Sequence, residues 1–392
     1  MKHALSLAYL VLAMQFATAQ EMVNKYAAVQ KQYESAIHVW QDRFDGNSNE
    51  DGGVSRYRDW PGWKFAPQFI KLAESDAPKH ERFESIVSVI KMGSEVGEYD
   101  RELYSYYERA IALMLAEHKD EPLGELCSQV GTSPQSEAFL NFLAHHADTV
   151  DIRAEAFLHL GRLYSMRREV GMMDAKNAVL ADGRIGKYML DRATWKDDSP
   201  LPESELNDLL AQSRQAFRSA IKNSSSLAAE RNNESVVTLA RRALFALEHL
   251  SLGCEAPEIS GLDLHGNALR LSDSRGKVTL VVFWASWCGP CIADLPHEKA
   301  LLKKFEGLPF TIIGVNGDAN LDDALLVSAR KEIPFRSFRN ATNGKAETIT
   351  DAWDVNAWPT VYLLDSTGII RYKQLRREQL DIPIEMLLKE LE

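Results

Sequence analysis

Apolar residues recur every three or four positions along much of the first 250 residues, which is the periodicity of one face of an α-helix. The clearest stretches are 65–72, 83–90, 103–115, 154–164 and 236–250. Clusters of Pro, Gly, Ser and Asp separate them, as at 131–134 and 197–202. Several stretches look paired, but no regular 34-residue period emerges. The pattern predicts an all-α domain and leaves irregular helical-hairpin repeats open.

The pattern changes after Gly253, where strands and helices begin to alternate. Residues 261–273 alternate around a His265-Gly266-Asn267 turn and predict a β-hairpin. The continuous apolar stretch 278–285 predicts a strand buried on both faces. Further strands are expected at 310–316, 360–365 and 369–373, and helices from the cysteine pair to about 305, at 321–332, at 347–353 and from about 384. This alternation predicts an α/β domain.

The chain has 392 residues, which is too long for one compact core. The two patterns predict a multi-domain protein, with an α-helical domain over 20–250 followed by an α/β domain over 251–392. The net charge of −11 disfavours a nucleic-acid partner, because such a surface needs a basic face.

Residues 1–19 have the pattern of a cleavable signal peptide. Lys2 and His3 precede a mostly apolar stretch over 4–16, and Ala17-Thr18-Ala19 offers a small-x-small cleavage site. The apolar stretch is too short for a membrane span, and no later stretch is long enough. We therefore expect an exported chain, periplasmic or otherwise extracytoplasmic, without a stable membrane span. An uncleaved anchor or a native first helix is the alternative.

The strongest chemical signal is the pair Cys288 and Cys291 in FWASWCGPC, residues 283–291. A metal is disfavoured, because structural zinc needs four ligands and the remaining cysteines, Cys127 and Cys254, are isolated. A purely structural bridge is also disfavoured, because it would close a very small loop and constrain the unfolded chain little. The spacing favours a redox-active disulfide that needs no other cofactor.

The pair follows a predicted buried strand and opens a predicted helix. Free backbone N–H groups and the positive end of the helix dipole stabilise a thiolate there. Cysteines so placed have pKa values of roughly 3.5–7.5. Cys288 is therefore the expected nucleophile, ionised and partly exposed, and Cys291 the resolving thiol one turn deeper. Pro290 suits the first turn, and Trp287, Gly289 and Pro290 are expected to contact the substrate.

Three separated segments of the C-terminal half resemble the thioredoxin superfamily, in particular its TlpA/ResA-type thiol–disulfide oxidoreductases, which carry a redoxin (AhpC/TSA-like) domain. They are the Gly-x-x-Ala-Pro opening and hairpin at 253–278, the CGPC segment at 276–296, and the segment 353–370. The resemblance spans about residues 251–392 and implies a thioredoxin fold, a central mixed sheet flanked by helices. Residues 20–250 carry no comparable motif.

The resemblance also implies roles for three further residues. Pro359 should be cis and packed beside the cysteines, which leaves the backbone of the preceding residue free to pair with a substrate strand. That residue is Trp358, which either contacts substrate or packs in the core. Asp294 stands where the family has a glutamate three residues after the second cysteine. It shares a helix face with Cys291 and is either a general base for that thiol or a solvated carboxylate.

A Gly-Pro insert is the thioredoxin type, with a potential near about −270 mV, whereas strong oxidants lie near about −120 mV. The sequence thus predicts a reductase of protein disulfides, acting through a mixed disulfide and reduced in turn by an electron-donor protein, with a role in cell redox homeostasis. A peroxiredoxin-like antioxidant is one alternative, but Ala285 and Val281 replace the Thr and Pro of the peroxidatic P-x-x-x-T-x-x-C motif. The other is a helical partner-binding scaffold with a tethered redox domain.

Cys127 and Cys254 carry a separate expectation. We expect both to be buried, inert thiols. A disulfide between them would close a long loop and is the alternative.

Overall fold

The computed structural model describes residues 25–42, 60–96, 101–130, 133–172, 201–224, 235–341, 348–355 and 357–392. The predicted signal peptide, 1–19, lies outside these residues. The chain divides into two compact units, Met1–Leu163 and Tyr164–Glu392. None of the helices in the described ranges is long and apolar enough to cross a membrane.

The first unit is helical in its described part, as predicted. Its helices are α1 (25–42), α2 (Gly62–Ala73), α3 (Lys79–Val96), α4 (Arg101–Glu117), α5 (Pro134–His146), α6 (Val150–Gly171, which continues into the second unit) and a 3-10 helix, Gly124–Gln129. Helix α5 falls inside the predicted helical region but is not among its clearest apolar stretches, and its Ser-Pro start lies in a cluster typical of loops. Ser133 is in fact its N-cap and accepts a hydrogen bond from the N–H of Ser136, while Pro134 occupies the first turn.

The second unit contains two helices ahead of the sheet, α7 (Glu203–Asn223) and α8 (Val236–His249). The sequence analysis placed the domain boundary at residue 250, where the helical periodicity ends. The second compact unit begins earlier and includes α8, whose C-terminal end packs on the sheet domain. Leu250 is fully buried in an apolar cluster with residues of the sheet, and Arg242 forms an ion pair with Asp354 at 3.1 Å.

The sheet of the second unit has five strands in the order β5-β4-β3-β6-β7. These strands are β3 (Val278–Trp284), β4 (Phe310–Asn316), β5 (Ser337–Arg339), β6 (Thr360–Leu364) and β7 (Ile370–Lys373). β3 and β5 run parallel to β4, whereas β6 is antiparallel to both β3 and β7. The predicted mixed sheet is therefore present. The predicted hairpin is also present, as β1 (Ser260–Leu262) and β2 (Ala268–Arg270), and turns at Gly266 with φ +82°.

The central strand β3 is buried on both faces along all of its residues, as its apolar sequence predicts. Side chains of alternate residues belong to two apolar clusters, one with Leu280 and Val282 and the other with Val281 and Phe283. The helices of this part are α9 (Gly289–Lys304), α10 (Leu321–Arg330), α11 (Ile349–Ala352), α12 (Asp381–Lys389) and the 3-10 helices Leu271–Ser274 and Arg377–Leu380. Since β3 is the middle strand, its end places the residues that follow it at the centre of the sheet edge.

Candidate active site

Cys288 and Cys291 lie between the end of β3 and the first turn of α9, and they form a disulfide with their Cα atoms 5.3 Å apart. Cys288 is the N-cap residue of α9, and its sulfur accepts a hydrogen bond from the N–H of Cys291 at 3.1 Å. Pro290 occupies the first turn, where no donor is lost. The pairing and the position at a helix start are both as predicted.

Cys288 is more buried than the sequence analysis expects. In this disulfide form Cys288 is 4 % exposed and Cys291 is 3 % exposed. Both sulfur-bearing residues belong to one apolar cluster, against which Trp358 packs.

Two tryptophans are neighbours of the cysteine pair: Trp287 directly precedes Cys288, and Trp358 packs against the cluster that contains both cysteines. Trp287 is 63 % exposed, and its ring lies edge-on to that of Trp358 with the centroids 5.6 Å apart. Trp358 is half-buried and precedes Pro359, and the Trp358–Pro359 bond is cis, as predicted. The indole of Trp358 packs on the core, as one of the two alternatives predicts, and its contact with a substrate stays a prediction.

Gly317, which the sequence analysis missed, leaves the space for the Trp358 indole. It follows β4, and its N–H donates to the carbonyl of Trp284 at 2.9 Å. A Cβ atom on this residue would lie 2.1 Å from Cη2 of Trp358. Any side chain at position 317 therefore has to displace the indole.

Gly317→Ala is expected to destabilise the protein by about 1–3 kcal/mol, the usual cost of overpacking, and to change the tryptophan fluorescence. The control is the same substitution in a Trp358→Ala background, where the clash is gone and the cost should largely disappear. Urea unfolding of the four proteins measures both effects. Equal losses of stability in the two backgrounds would show that Gly317 is needed for another reason.

Asp318 restrains the loop that leads to Cys288. Its carboxylate accepts hydrogen bonds from the N–H of Ser286 at 2.9 Å, the hydroxyl of Ser286 at 2.7 Å and the amide of Asn316 at 2.7 Å. Ser286 is two residues before Cys288, so these bonds restrain the approach to α9. The sequence analysis missed Asp318 because only the parallel pairing of β3 with β4 brings the ends of these strands together.

Asp294 is buried, with 5 % of the residue exposed, so the solvated alternative is wrong. Its Oδ2 accepts a hydrogen bond from Nε of Arg376 at 2.6 Å, and its Oδ1 accepts one from Nε of Arg377 at 2.7 Å. Nη2 of Arg376 also donates to the carbonyl of Pro290 at 3.3 Å. The carboxylate is thus tied to the CGPC segment through one arginine.

Glu298, one turn further along α9, is a second buried carboxyl that the sequence analysis missed. It is 5 % exposed, and its Oε2 has no hydrogen-bond partner among the described residues. Burial raises the pKa of Glu298 to about 8, with a further contribution from the charge of Asp294 and an opposing one from Arg376. Glu298 therefore carries a proton at neutral pH in this structure.

The stability of the protein should depend on pH through Glu298. The unfolded chain releases this proton near pH 4.5, whereas the folded protein holds it to about pH 8. The contribution is therefore complete below pH 4.5 and is lost as the pH rises through 8. Relative to Glu298→Gln, which does not titrate, the wild type should lose on the order of 3–5 kcal/mol between pH 5 and pH 9. Urea unfolding at both values measures this, and a difference that does not change with pH would contradict it.

The other two cysteines form no disulfide in the described part of the chain. Cys127 is buried and Cys254 is half-buried, so Cys254 is more accessible than expected. The described residues contain no group of three or more His, Cys, Asp or Glu side chains that could hold a metal ion.

Known proteins resemble the part of the chain that carries this site. Residues 252–373 match the AhpC/TSA family. The thiol–disulfide oxidoreductase ResA of Bacillus thuringiensis (strain Al Hakam) is 27 % identical over 151 residues, which cover 37 % of this chain and 80 % of ResA. The thioredoxin-like protein YneN of Bacillus subtilis (strain 168) is 31 % identical over 126 residues, covering 30 % of this chain and 68 % of YneN.

A solved structure is also similar. The thioredoxin domain of a thiol–disulfide oxidoreductase from Bacteroides vulgatus is 27 % identical and covers 35 % of this chain and 98 % of that domain, with a TM-score of 0.33 for the whole chain.

The fold and the site together define a class of enzyme. A mixed sheet whose central strand leads into a helix capped by a CxxC disulfide, with a cis-proline before a neighbouring strand, is the architecture of a thioredoxin-like thiol–disulfide oxidoreductase. Through this domain the chain belongs to the AhpC/TSA family, among its thioredoxin-like thiol–disulfide oxidoreductases.

Proposed function

We propose that the protein is an exported reductase of protein disulfides that works through Cys288 and Cys291. The observation that carries this proposal is the disulfide at the N-terminus of α9, in a domain that also has an exposed tryptophan before Cys288 and a cis-proline at 359. The backbone N–H groups and the dipole of the helix favour a thiolate at its N-cap once the disulfide is reduced. This favours Cys288 as the attacking residue.

The reaction has two exchange steps. The thiolate of Cys288 attacks one sulfur of the substrate disulfide, which forms a mixed disulfide and releases the other substrate sulfur as a thiolate. Cys291 then loses its proton and attacks the sulfur of Cys288, which releases the second substrate thiolate. Both released thiolates take up protons. Two electrons pass to the substrate, and the cysteine pair returns to its disulfide.

Asp294 is the proposed acceptor of the proton from Cys291, directly or through a water molecule. It lies three residues after Cys291 on the same helix and, like Cys291, faces the protein interior. Its two hydrogen bonds with arginines fix the orientation of the carboxylate. A fixed acceptor is an advantage because proton transfer depends on geometry before it depends on pKa.

The substrate segment is proposed to lie across Trp287, Gly289 and Pro290 on one side and the backbone of Trp358, before Pro359, on the other. The exposed face of Trp287 offers an apolar contact to residues that flank the substrate disulfide. The pattern of residues 1–19 supports export. In an oxidising compartment the pair then needs an electron-donor protein to reduce it again.

The full mature chain can be tested directly. With dithiothreitol as the electron source it should reduce insulin disulfides, and its equilibrium with glutathione should give a potential in the range of thioredoxin, near about −270 mV. A potential above about −150 mV would identify an oxidant and contradict the assignment as a reductase.

A further inference from the structure

Four ionisable side chains lie together beside α9, on the side of the cysteine pair where Cys291 is. They are Asp294, Glu298, Arg376 and Arg377. Cys291, Asp294 and Glu298 follow one another at helical spacings of three and four residues and share one face of α9. All three are at most 5 % exposed. The buried face of the helix thus leads from the resolving cysteine to two successive carboxyl groups.

The two arginines come from the segment between β7 and the last helix. Arg376 joins Asp294 to the carbonyl of Pro290, and Arg377 takes the other oxygen of Asp294. Arg377 has a φ of +51°, a conformation that costs energy in a residue with a side chain. The structure holds this unfavourable backbone at the residue whose Nε reaches Asp294. Strain of this kind is concentrated at functional sites.

Glu298 has no comparable partner. Its Oε2 is buried without a hydrogen bond in the described part of the chain, one turn from Asp294. Two buried carboxyl groups so close to each other do not both ionise readily, because their like charges repel in a medium of low dielectric constant. Since both guanidinium Nε–H groups point to Asp294, the charge belongs on Asp294 and the proton on Glu298.

We propose that Asp294 and Glu298 work as one acidic pair with a single negative charge, and that Arg376 and Arg377 are the positioning residues that place this charge on Asp294, next to the resolving cysteine. This inference rests on the proposed function, in which Asp294 accepts the proton of Cys291. During resolution the proton of Cys291 moves to Asp294, and the leaving substrate thiolate then takes it. Glu298 keeps its proton throughout.

Among the described residues, no side chain of the elements packed against α9 forms a hydrogen bond with Oε2 of Glu298. Strand β4 has no ionisable side chain. Helix α12 contributes Asp381 and Glu385, which form ion pairs with His297 and Lys304 of α9. The charged and titratable side chains of α9 and of the segments beside it include Asp294, His297, Lys299, Lys303, Lys304, Arg376, Arg377, Glu378, Asp381 and Glu385. Only Asp294 and Arg376 shift the pKa of Glu298.

Stopped-flow reaction of the reduced full chain with 5,5′-dithiobis(2-nitrobenzoate) separates the two exchange steps. Attack by Cys288 releases the first thionitrobenzoate, and resolution by Cys291 releases the second. A Cys254→Ser background removes the half-buried thiol outside the pair. In Arg376→Gln and Arg377→Gln, the second phase should slow roughly tenfold or more at neutral pH, while the first changes little. The pH dependence of the rate constant of the second phase should also shift in these variants. A loss of packing alone would not cause such a shift.

Arg371→Gln is the matched control. It removes a different arginine–carboxylate pair, in which Arg371 donates two hydrogen bonds to Glu390. The side chain of Arg371 is 34 % exposed, which is similar to the 38 % of Arg376. Both phases should remain as in the parent protein. Should a glutamine variant fail to fold, Arg376→Lys keeps the charge and loses the forked geometry, and the same slowing of the second phase is expected.

Infrared spectra of the oxidised protein locate the proton, because the bridged cysteines do not titrate in that state. A protonated-carboxyl band should disappear as the pH passes about 8 and should be absent in Glu298→Gln. The matched control Glu81→Gln, which alters a buried carboxyl of the helical unit, should retain it. A band that survives in Glu298→Gln and is lost in Asp294→Asn would overturn the inference.

The proposed function and the role of the two arginines can be contradicted separately. Absence of both kinetic phases in the parent protein would contradict the proposed function itself. Two phases in the parent, with an unchanged second phase in both arginine variants, would leave the proposed function intact and overturn only the role of the arginines.

Discussion

Serine in place of Cys288 is expected to lower the rate of disulfide exchange by roughly a thousandfold or more, because a hydroxyl group is neither ionised at neutral pH nor able to form a mixed disulfide. The loss should be in the rate constant for attack, since no later step can begin. Insulin reduction by the full mature chain, with dithiothreitol as the electron source, measures it.

Cys254→Ser is the matched control for this result. It makes the same chemical change at a half-buried thiol that forms no disulfide in the described structure. Its activity should equal that of the wild type. A Cys288→Ser protein that kept most of its activity, or a Cys254→Ser protein that lost it, would place the reaction at another cysteine.

Serine in place of Cys291 is expected to stop the reaction after its first step. Cys288 can still attack, but no thiol remains to break the mixed disulfide. With 5,5′-dithiobis(2-nitrobenzoate), in the Cys254→Ser background, the reduced variant should release one thionitrobenzoate per chain instead of two. Intact-mass spectrometry should find the other half bound to the protein.

Peptide mapping of the trapped adduct identifies the attacking residue. The label should lie on the peptide that contains position 288. Release of two equivalents by Cys291→Ser would mean that another group resolves the mixed disulfide, and the assigned order of the two cysteines would then be wrong.

The parts of the fold that were predicted have strong local patterns. Strand β3 is a continuous stretch of apolar, largely β-branched residues, and the hairpin turns at a glycine that needs a positive φ. The CGPC segment directly follows that strand, so its position at a helix N-terminus follows from the same pattern. These features are determined by residues close together in the sequence, so they can be predicted from the sequence alone.

The parts that were missed depend on residues far apart in the chain. Strand β5 has three residues, too few for a clear alternation, and it is defined by its pairing with β4. Asp318 meets Ser286 only because two parallel strands end together. Arg376 and Arg377 reach Asp294 across more than eighty residues, and nothing near them in the sequence indicates an acidic partner.

Glu298 is a different case, because its position in the sequence already indicates that its carboxyl group is buried. It lies at a spacing of four from Asp294 and seven from Cys291, on the buried face of α9 that also carries Leu295 and Leu301. A charged residue at a position that the periodicity assigns to the core is informative, since such a residue is rarely buried without a reason.

The central claim is that Cys288, at the N-terminus of α9, is the ionised nucleophile. Alkylation of the reduced protein by iodoacetamide across pH, followed by peptide mapping, tests it most directly, because only thiolates react. Cys288 should be alkylated first, with an apparent pKa below the value of about 8.5 of a free thiol, while Cys291 should react slowly. Faster alkylation of Cys291, or reaction of Cys288 only at a pH above that value, would contradict the account.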